Sequence, residues 1–181
     1  MTDQVLSGVK VLDLTHHIAG PYCSKLFADY GADVIKVERP GTGDPSRSEG
    51  PFPGDIAHLE KSGLFMHLNT NKFGVTLNLK SNQGIEILRK LAQDADIIIE
   101  NFRPGVPERL GIDYPTVQKI NPNIVYLYAG SYGSTGPSAH RPAMHPIPGA
   151  ICGGVLYQMG LGTPPPPNQH LPYEELRRLS G

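Results

Sequence analysis

The sequence predicts an α/β domain built on a mostly parallel sheet. Three observations carry that reading. Segments with strand patterning alternate with segments of helical periodicity along most of the chain. The first three such segments form a strand–helix–strand unit of the length a parallel pair requires. The run Ile97-Ile98-Ile99 is apolar without alternation, as in a strand covered on both faces.

The first strand is expected over "GVKVLDLT", Gly8 to Thr15, rich in Val and Leu with period-two alternation. "AGPYCSKLFADYG" follows with Cys23, Leu26, Phe27 and Tyr30 at i, i+3, i+4 and i+7, which predicts one apolar helical face. Pro21 suits the first turn of that helix and Gly31 its stop. "ADVIKVERPG" reads as the second strand, closed by Pro40-Gly41. Residues 41–66 are polar and rich in Gly and Pro. A loop of that length is expected to be functional or mobile. "GVTLNLK", Gly74 to Lys80, is the expected third strand. "SNQGIEILRKLAQDA" predicts a helix capped by Ser81, with Ile85, Leu88, Leu91 and Ala92 facing inward. "DIIIEN" is the fourth strand, "DYPTVQKI" a short helix capped by Asp113, and "NIVYLYAGS" the fifth strand.

Composition narrows the functional classes. The chain has 181 residues, 39% of them apolar, enough for one domain and a modest core. Its formal net charge of −1 gives no electrostatic reason to expect nucleic acid. The 2 cysteines, Cys23 and Cys152, lie far apart without zinc spacing, so a reduced, cytoplasmic setting is expected and a metal is not. No run approaches the roughly 18 apolar residues that cross a bilayer, and the N-terminus shows no signal-peptide pattern. Late in the chain, "GTPPPPNQHLP" reads as a stiff linker, and "YEELRRLSG" as the start of a helix that stops after two turns. The expected organisation is therefore one domain over 1–162, with a Pro-rich linker and truncated helix over 163–181.

In parallel sheets ligands bind beyond the carboxyl ends of the strands. There the sequence places Thr15-His16-His17-Ile18-Ala19 after the first strand, Glu38-Arg39 after the second, and Asn101-Phe102-Arg103 after the fourth, with Arg109 shortly beyond. "HLNTNK", His67 to Lys72, precedes the third. Arg39, Lys72, Arg103 and Arg109 thus flank the sheet and could grip a polyanion, since guanidinium groups bind phosphate bidentately. Each also has the plain reading of a solvated loop cation. Phe102 offers a ring face to a purine or an apolar chain. A nicotinamide dinucleotide is disfavoured, because Gly20-Pro21 stands where GxGxxG would begin. Glu38 alone is a weak ribose signal, and no P-loop pattern occurs.

The blocks "LDLTHHIAGPYCSKLFADYGADVIKVERPGTGD", "LNTNKFGVTLNLKSNQG", "ADIIIENFRPGVPERLGIDY" and "INPNIVYLYAGSYGSTGP" together closely resemble family III CoA-transferases, a group that includes α-methylacyl-CoA racemases. The likeness runs over about residues 6–160. It implies a Rossmann-like large domain with helices on both faces of the sheet, present here in part. It further implies coenzyme A as the bound carrier, an acyl-CoA and a carboxylate acceptor as substrates, and an interlocked homodimer or partner subunit. No nucleic acid or membrane partner is implied. Carried over residue by residue, the CoA contacts fall on Ile18, Ala19, Arg39, Asn69, Asn71, Lys72, Asn101, Phe102 and Arg109.

The transferases attack the thioester with an aspartate, a nucleophile whose adduct is itself activated. It lies beyond the glycine pair that matches Gly153-Gly154, and a gapless count falls near Glu174 and Glu175 inside "YEELRR", which lacks the family's turn. Glu175 is therefore a weak nucleophile candidate, and the aspartate itself is expected beyond residue 181. In "RPAMHPIPGAICGG" the family's Gly-His-Asp pattern is offset by one residue. His145 has the right ordinary pKa for an acid/base and also the plain reading of a loop histidine. Cys152 reads as a buried filler. Ile18 stands where the formyl and oxalyl transferases carry Gln, which detaches their acyl specificity from this chain. The leading reading is a CoA-transferase moving CoA between an acyl-CoA thioester and a carboxylic acid. The alternatives are an acyl-CoA racemase or isomerase, and a catalytically incomplete chain that binds CoA or partners a full subunit.

Overall fold

The computed structural model describes residues 4–141 and 146–151. Along the chain come β1 (Lys10–Asp13), α1 (Ala19–Asp29), β2 (Asp33–Glu38), α2 (Gly63–Leu68), β3 (Phe73–Thr76), α3 (Asn82–Asp94), β4 (Ile97–Glu100), α4 (Val106–Leu110), α5 (Tyr114–Ile120), β5 (Val125–Tyr128) and α6 (Pro146–Ile151). The five strands form one sheet in the order β3-β2-β1-β4-β5, and every pairing is parallel. The expected α/β class and Rossmann-like architecture hold. The chain runs outward from β1 to β3, then restarts at β4 on the other side of β1. The β1/β4 boundary is thus the topological switch point.

Successive side chains of a strand enter opposite layers, so both faces must be covered. On one face Val11, Val34 and Ile99 meet Ala28 of α1, and Ala32 beyond it. On the other, Leu12, Val37 and Ile98 meet Leu88 and Ala92 of α3 and Val117 of α5. Ile98 and Ile99 are buried on opposite sides, which is why that run shows no alternation.

α3 follows the sequence reading closely. Ser81 Oγ accepts the Gly84 N–H at 3.1 Å, and Leu88 and Ala92 are buried while Ile85 and Leu91 border the same core. α1 corrects it. Its inner face runs through Pro21, Ser24 and Ala28, whereas Leu26 and Tyr30 are exposed; of the expected face only Cys23 and Phe27 border the core. Small residues win because α1 lies close on β1: a Cβ on Gly20 would sit 2.3 Å from Thr15 Cβ. The helix ends as expected at Gly31, with the Gly31 N–H on Ala28 O and the Ala32 N–H on Phe27 O. Asp113 caps α5 through no backbone amide; its Oδ1 accepts the Thr116 hydroxyl instead, at 2.7 Å. The third strand begins at Phe73 and ends at Thr76, since only that stretch pairs with β2.

Residues 41–66 are not a plain loop. Two short 3-10 turns and the start of α2 occupy much of the segment. Asp44 N donates to Glu38 Oε2 at 2.8 Å, Ser62 Oγ donates to Ser46 O at 2.8 Å, and Arg47 stacks 3.6 Å above the Phe65 ring.

Candidate functional site

At the carboxyl end of β1 the sheet interior changes from hydrocarbon to charge. Asp13 faces the α1 layer opposite Lys36 of β2, and both are buried. Asp13 Oδ1 accepts the Thr15 N–H at 2.9 Å; Oδ2 accepts Ser24 Oγ at 2.6 Å and Lys72 Nζ at 3.1 Å. Burial would raise this carboxyl, but Lys36, Lys72 and the two hydroxyls outweigh it and hold Asp13 below the usual carboxylate range. Lys36 Nζ donates to Thr15 O at 3.0 Å and pairs with Asp44 Oδ2 at 2.9 Å, although no donor is aligned on that oxygen. Asp44 Oδ1 accepts the Ser46 N–H at 2.9 Å and reaches the His17 N–H at 3.2 Å. This network ties the segment after β2 to the turn after β1.

Beside it lies the crevice between β1 and β4. Asn101 spans it: Oδ1 accepts the His16 N–H at 2.9 Å and Nδ2 donates to His16 O at 2.8 Å. The ladder ends at Asp13, so the amide side chain prolongs strand pairing where the backbones diverge. The His16 ring meets Phe102 edge to face with centroids 5.6 Å apart, and burial pushes its imidazole pKa down, which favours the neutral ring. Phe102 N–H is held by the carboxylate of Glu100, at 2.7 Å. Burial lifts Glu100 to about 7, against the opposing pull of that amide and the Tyr126 hydroxyl. No side chain caps α1; Ile18, 54% exposed, stands at the cap position and Ala19 opens the first turn, so the first amides of the helix have no side-chain partner.

Farther along the same rim, an open groove of about 810 Å³ separates α3 from α4. Leu79, Ile85 and Leu110 supply apolar lining, and Lys80, Arg89 and Arg109 supply cations beside Glu86 and Glu108.

Of the residues expected at the site, Ile18, Ala19, Asn101 and Phe102 gather at the crevice, and Arg109 lines the neighbouring groove. Arg39 follows β2, exposed on the same rim. Asn69, Asn71 and Lys72 do not join them as free groups. The Lys72 side chain is 2% exposed, and its Nζ donates to Asp13, Pro21 O and Asn69 Oδ1; Asn71 Nδ2 donates to Asp29. Burial pulls the Lys72 ammonium down to about 8. Glu38 is likewise committed, its two oxygens held by Arg47 at 2.7 and 2.8 Å, so it is not free for a ribose. The sequence reading missed Lys80 and Arg89, which look like solvated helix-flank cations until α4 is placed opposite them. His145, Cys152, Glu174 and Glu175 lie outside the described residues. Among the described residues no cluster of metal-ligating side chains occurs, and no helix is long and apolar enough to cross a membrane.

Comparison with known proteins gives a consistent result. The family model "CoA-transferase family III" matches residues 6–174. The chain is 39% identical over 165 residues to an acyl-CoA transferase of Fusarium pseudograminearum, covering 89% of this chain and 36% of that protein. It is 40% identical over 159 residues to the acetyl-CoA:oxalate CoA-transferase of Acetobacter aceti, covering 88% and 39%. A crystal structure of the hypothetical protein Rv3272 from Mycobacterium tuberculosis superposes with a TM-score of 0.79 at 34% identity, covering 97% of this chain and 46% of that one. The chain thus spans less than half the length of each of these relatives.

Proposed function

Since the chain belongs to CoA-transferase family III, we propose that it is the CoA-binding portion of an acyl-CoA transferase, serving the transfer of CoA between a thioester and a carboxylic acid. The observation that carries this reading is that two features both follow carboxyl ends of the strands. The switch-point crevice presents uncapped helix amides and the Phe102 ring, and the groove beside it presents three cations over an apolar floor. CoA has matching parts: a flat adenine, a pyrophosphate with a ribose phosphate, and a thin amide-bearing arm that leads away to the thioester.

In this reading Arg39 and Arg109 neutralise phosphates, Phe102 and Asn101 shape the path between them, and the first-turn amides at Ile18 and Ala19 receive the carrier near β1. Asn69, Asn71 and Lys72 serve at one remove. They brace Asp13, Asp29 and α1, and so fix the first turn that the ligand meets. Neutral His16 lines the crevice without adding charge. The nucleophilic carboxylate is assigned to none of the described residues. Among the described residues, the exposed apolar side chains include Val125 and Leu127 on β5, which a second copy or a partner subunit would cover. A cytoplasmic setting suits an enzyme of CoA thioesters.

Isothermal titration of the 181-residue chain with CoA tests the binding claim, alongside a transferase assay with several carboxylates. Binding with a dissociation constant on the order of micromolar is expected. A chain that is folded by circular dichroism yet takes up no CoA would overturn the proposal. One that binds CoA but exchanges nothing retains the binding role alone.

A further inference from the structure

One buried carboxyl has no cation to face. Glu100, at the carboxyl end of β4, is 2% exposed, and no lysine or arginine lies within ion-pair distance of it among the described residues. It shares the face of β4 with Ile98 and the α3–α5 layer, away from Asp13 and its lysines. The titratable groups around it are Glu108 from α4 and Tyr126 and Tyr128 from β5, with Asp113 beyond Tyr126. All of them are acids. The two oxygens of Glu100 have different partners. Oε2 accepts the Phe102 N–H at 2.7 Å, and Oε1 lies 3.4 Å from the Tyr126 hydroxyl. That hydroxyl also lies 3.1 Å from Ile112 O, just past the end of α4.

A phenol carries one proton, and burial with Glu100 alongside keeps it on the Tyr126 hydroxyl. Two acceptor oxygens compete for that proton. When it goes to the nearer, Ile112 O, Glu100 Oε1 must bring a proton of its own. The acid form then satisfies every member. Glu100 Oε1–H donates to Tyr126, Tyr126 donates to Ile112 O, and the Phe102 N–H donates to Glu100 Oε2. The ionised form leaves a buried charge with one amide and one long, shared contact, which is costly. We propose that Glu100 is a positioning residue that works as its protonated acid, joining the Asn101–Phe102 turn to the end of α4 through Tyr126, so that the chain takes up a proton when it binds CoA. This role rests on the proposed binding of CoA and deepens it. Two physical effects favour the acid form in the complex. A polyanion beside the Phe102 turn is repelled by a negative charge buried behind that turn, where screening is weak. The hydrogen-bonded chain also holds Phe102 and α4, which carries Arg109, in one arrangement. Burial raises Glu100 to about 7, so the change of charge falls near neutral pH.

Isothermal titration with CoA at pH 6, 7 and 8, in buffers of differing ionisation enthalpy, tests this on the full chain and its Glu100→Gln variant. The amide of that variant copies the acid form, donating to Tyr126 and accepting from Phe102, but cannot titrate. His16, Lys72 and the ligand's own phosphates also titrate near this window, and they contribute equally to both proteins. With a preference of CoA for the acid form of about tenfold, the two proteins should bind within about twofold of one another at pH 6, and the variant should bind about fivefold tighter at pH 8. At pH 7 the unaltered chain should take up about 0.4 proton more than the variant on binding. Tyr126→Phe breaks the chain at its middle and should weaken CoA about threefold or more at pH 6, with a melting curve showing that it is folded. Unaltered affinity in that variant would overturn the link to α4. Equal pH profiles and equal proton uptake in the unaltered chain and Glu100→Gln would overturn the role of Glu100 while leaving CoA binding intact. So would a Glu100→Gln variant weaker by the same factor at every pH, since the residue would then only support the fold. If neither folded protein binds CoA at any pH, the binding role falls and this one falls with it.

Discussion

Asn101 takes both backbone groups of His16, accepting its N–H and donating to its carbonyl, and so fastens the end of β4 to the turn after β1. The two residues are 85 positions apart in sequence, yet this contact fixes the floor of the crevice. Replacing Asn101 with Ala leaves two backbone groups to find other partners. A loss of about 1–3 kcal/mol in urea unfolding is expected. Asn101→Asp keeps the acceptor but lacks the donor, and should cost less stability. Both should weaken CoA binding more than they weaken folding; a titration showing unaltered affinity would detach the crevice from the ligand.

Asp13 is the hub of the buried charges, and removing it strands the Lys72 ammonium, whereas Lys36 keeps Asp44. Asp13→Asn should destabilise the chain by about 3–5 kcal/mol, because Lys72 would remain buried without its carboxylate. Lys72→Met in the same background should recover part of the loss. A denaturation midpoint that does not move on Asp13→Asn would show that water reaches this network freely.

Glu100 makes stability depend on pH in the direction opposite to Asp13. An ordinary glutamate releases its proton near 4.5, while burial holds Glu100 to about 7, so the folded chain binds more protons between those values. Stability is therefore greatest below the lower value and falls as pH rises through 4.5 to about 7, by at most about 3 kcal/mol. Glu100→Gln keeps an acceptor for the Phe102 N–H and removes the titration. Melting temperatures across pH 5–8 should be flatter in that variant, and identical slopes in both proteins would contradict the assignment.

Glu38 stands where many dinucleotide-binding folds hold a ribose, but Arg47 occupies it. Glu38→Gln should lower stability by about 1–3 kcal/mol through the weakened Arg47 fork while leaving CoA affinity nearly unaltered. NADH fluorescence should show no saturable binding with either protein. Saturable binding to the unaltered chain would mean that the fork opens for a ligand.

Local chemistry made several elements legible. Ser81 announced α3, Gly31 announced the end of α1, and the isoleucine run announced a strand covered on both sides. What stayed hidden depends on long-range pairing. Nothing near Ile97 says that it will lie beside Val11. Once it does, Asn101 meets His16, and α4 comes to face the helix that carries Arg89. The charge network had a visible trace, a lysine inside the apolar run "DVIKVE" and an aspartate at the end of "KVLD". The two make sense only when register sets Asp13 beside Lys36. For the same reason Lys72 reads as a rim cation in the sequence and becomes an internal one in the fold.

The strand order has a mechanical corollary. The segment from β1 to β3 and the segment from β4 to β5 each complete their own pairings between sequence neighbours, and within the sheet the β1–β4 ladder alone joins them. A molecule lodged across that seam would act as a rivet, touching one half through α1 and the other through the Asn101–Phe102 turn. Amide hydrogen exchange along β1 and β4 should then slow on ligand binding more than along β5, which supplies none of the proposed ligand contacts.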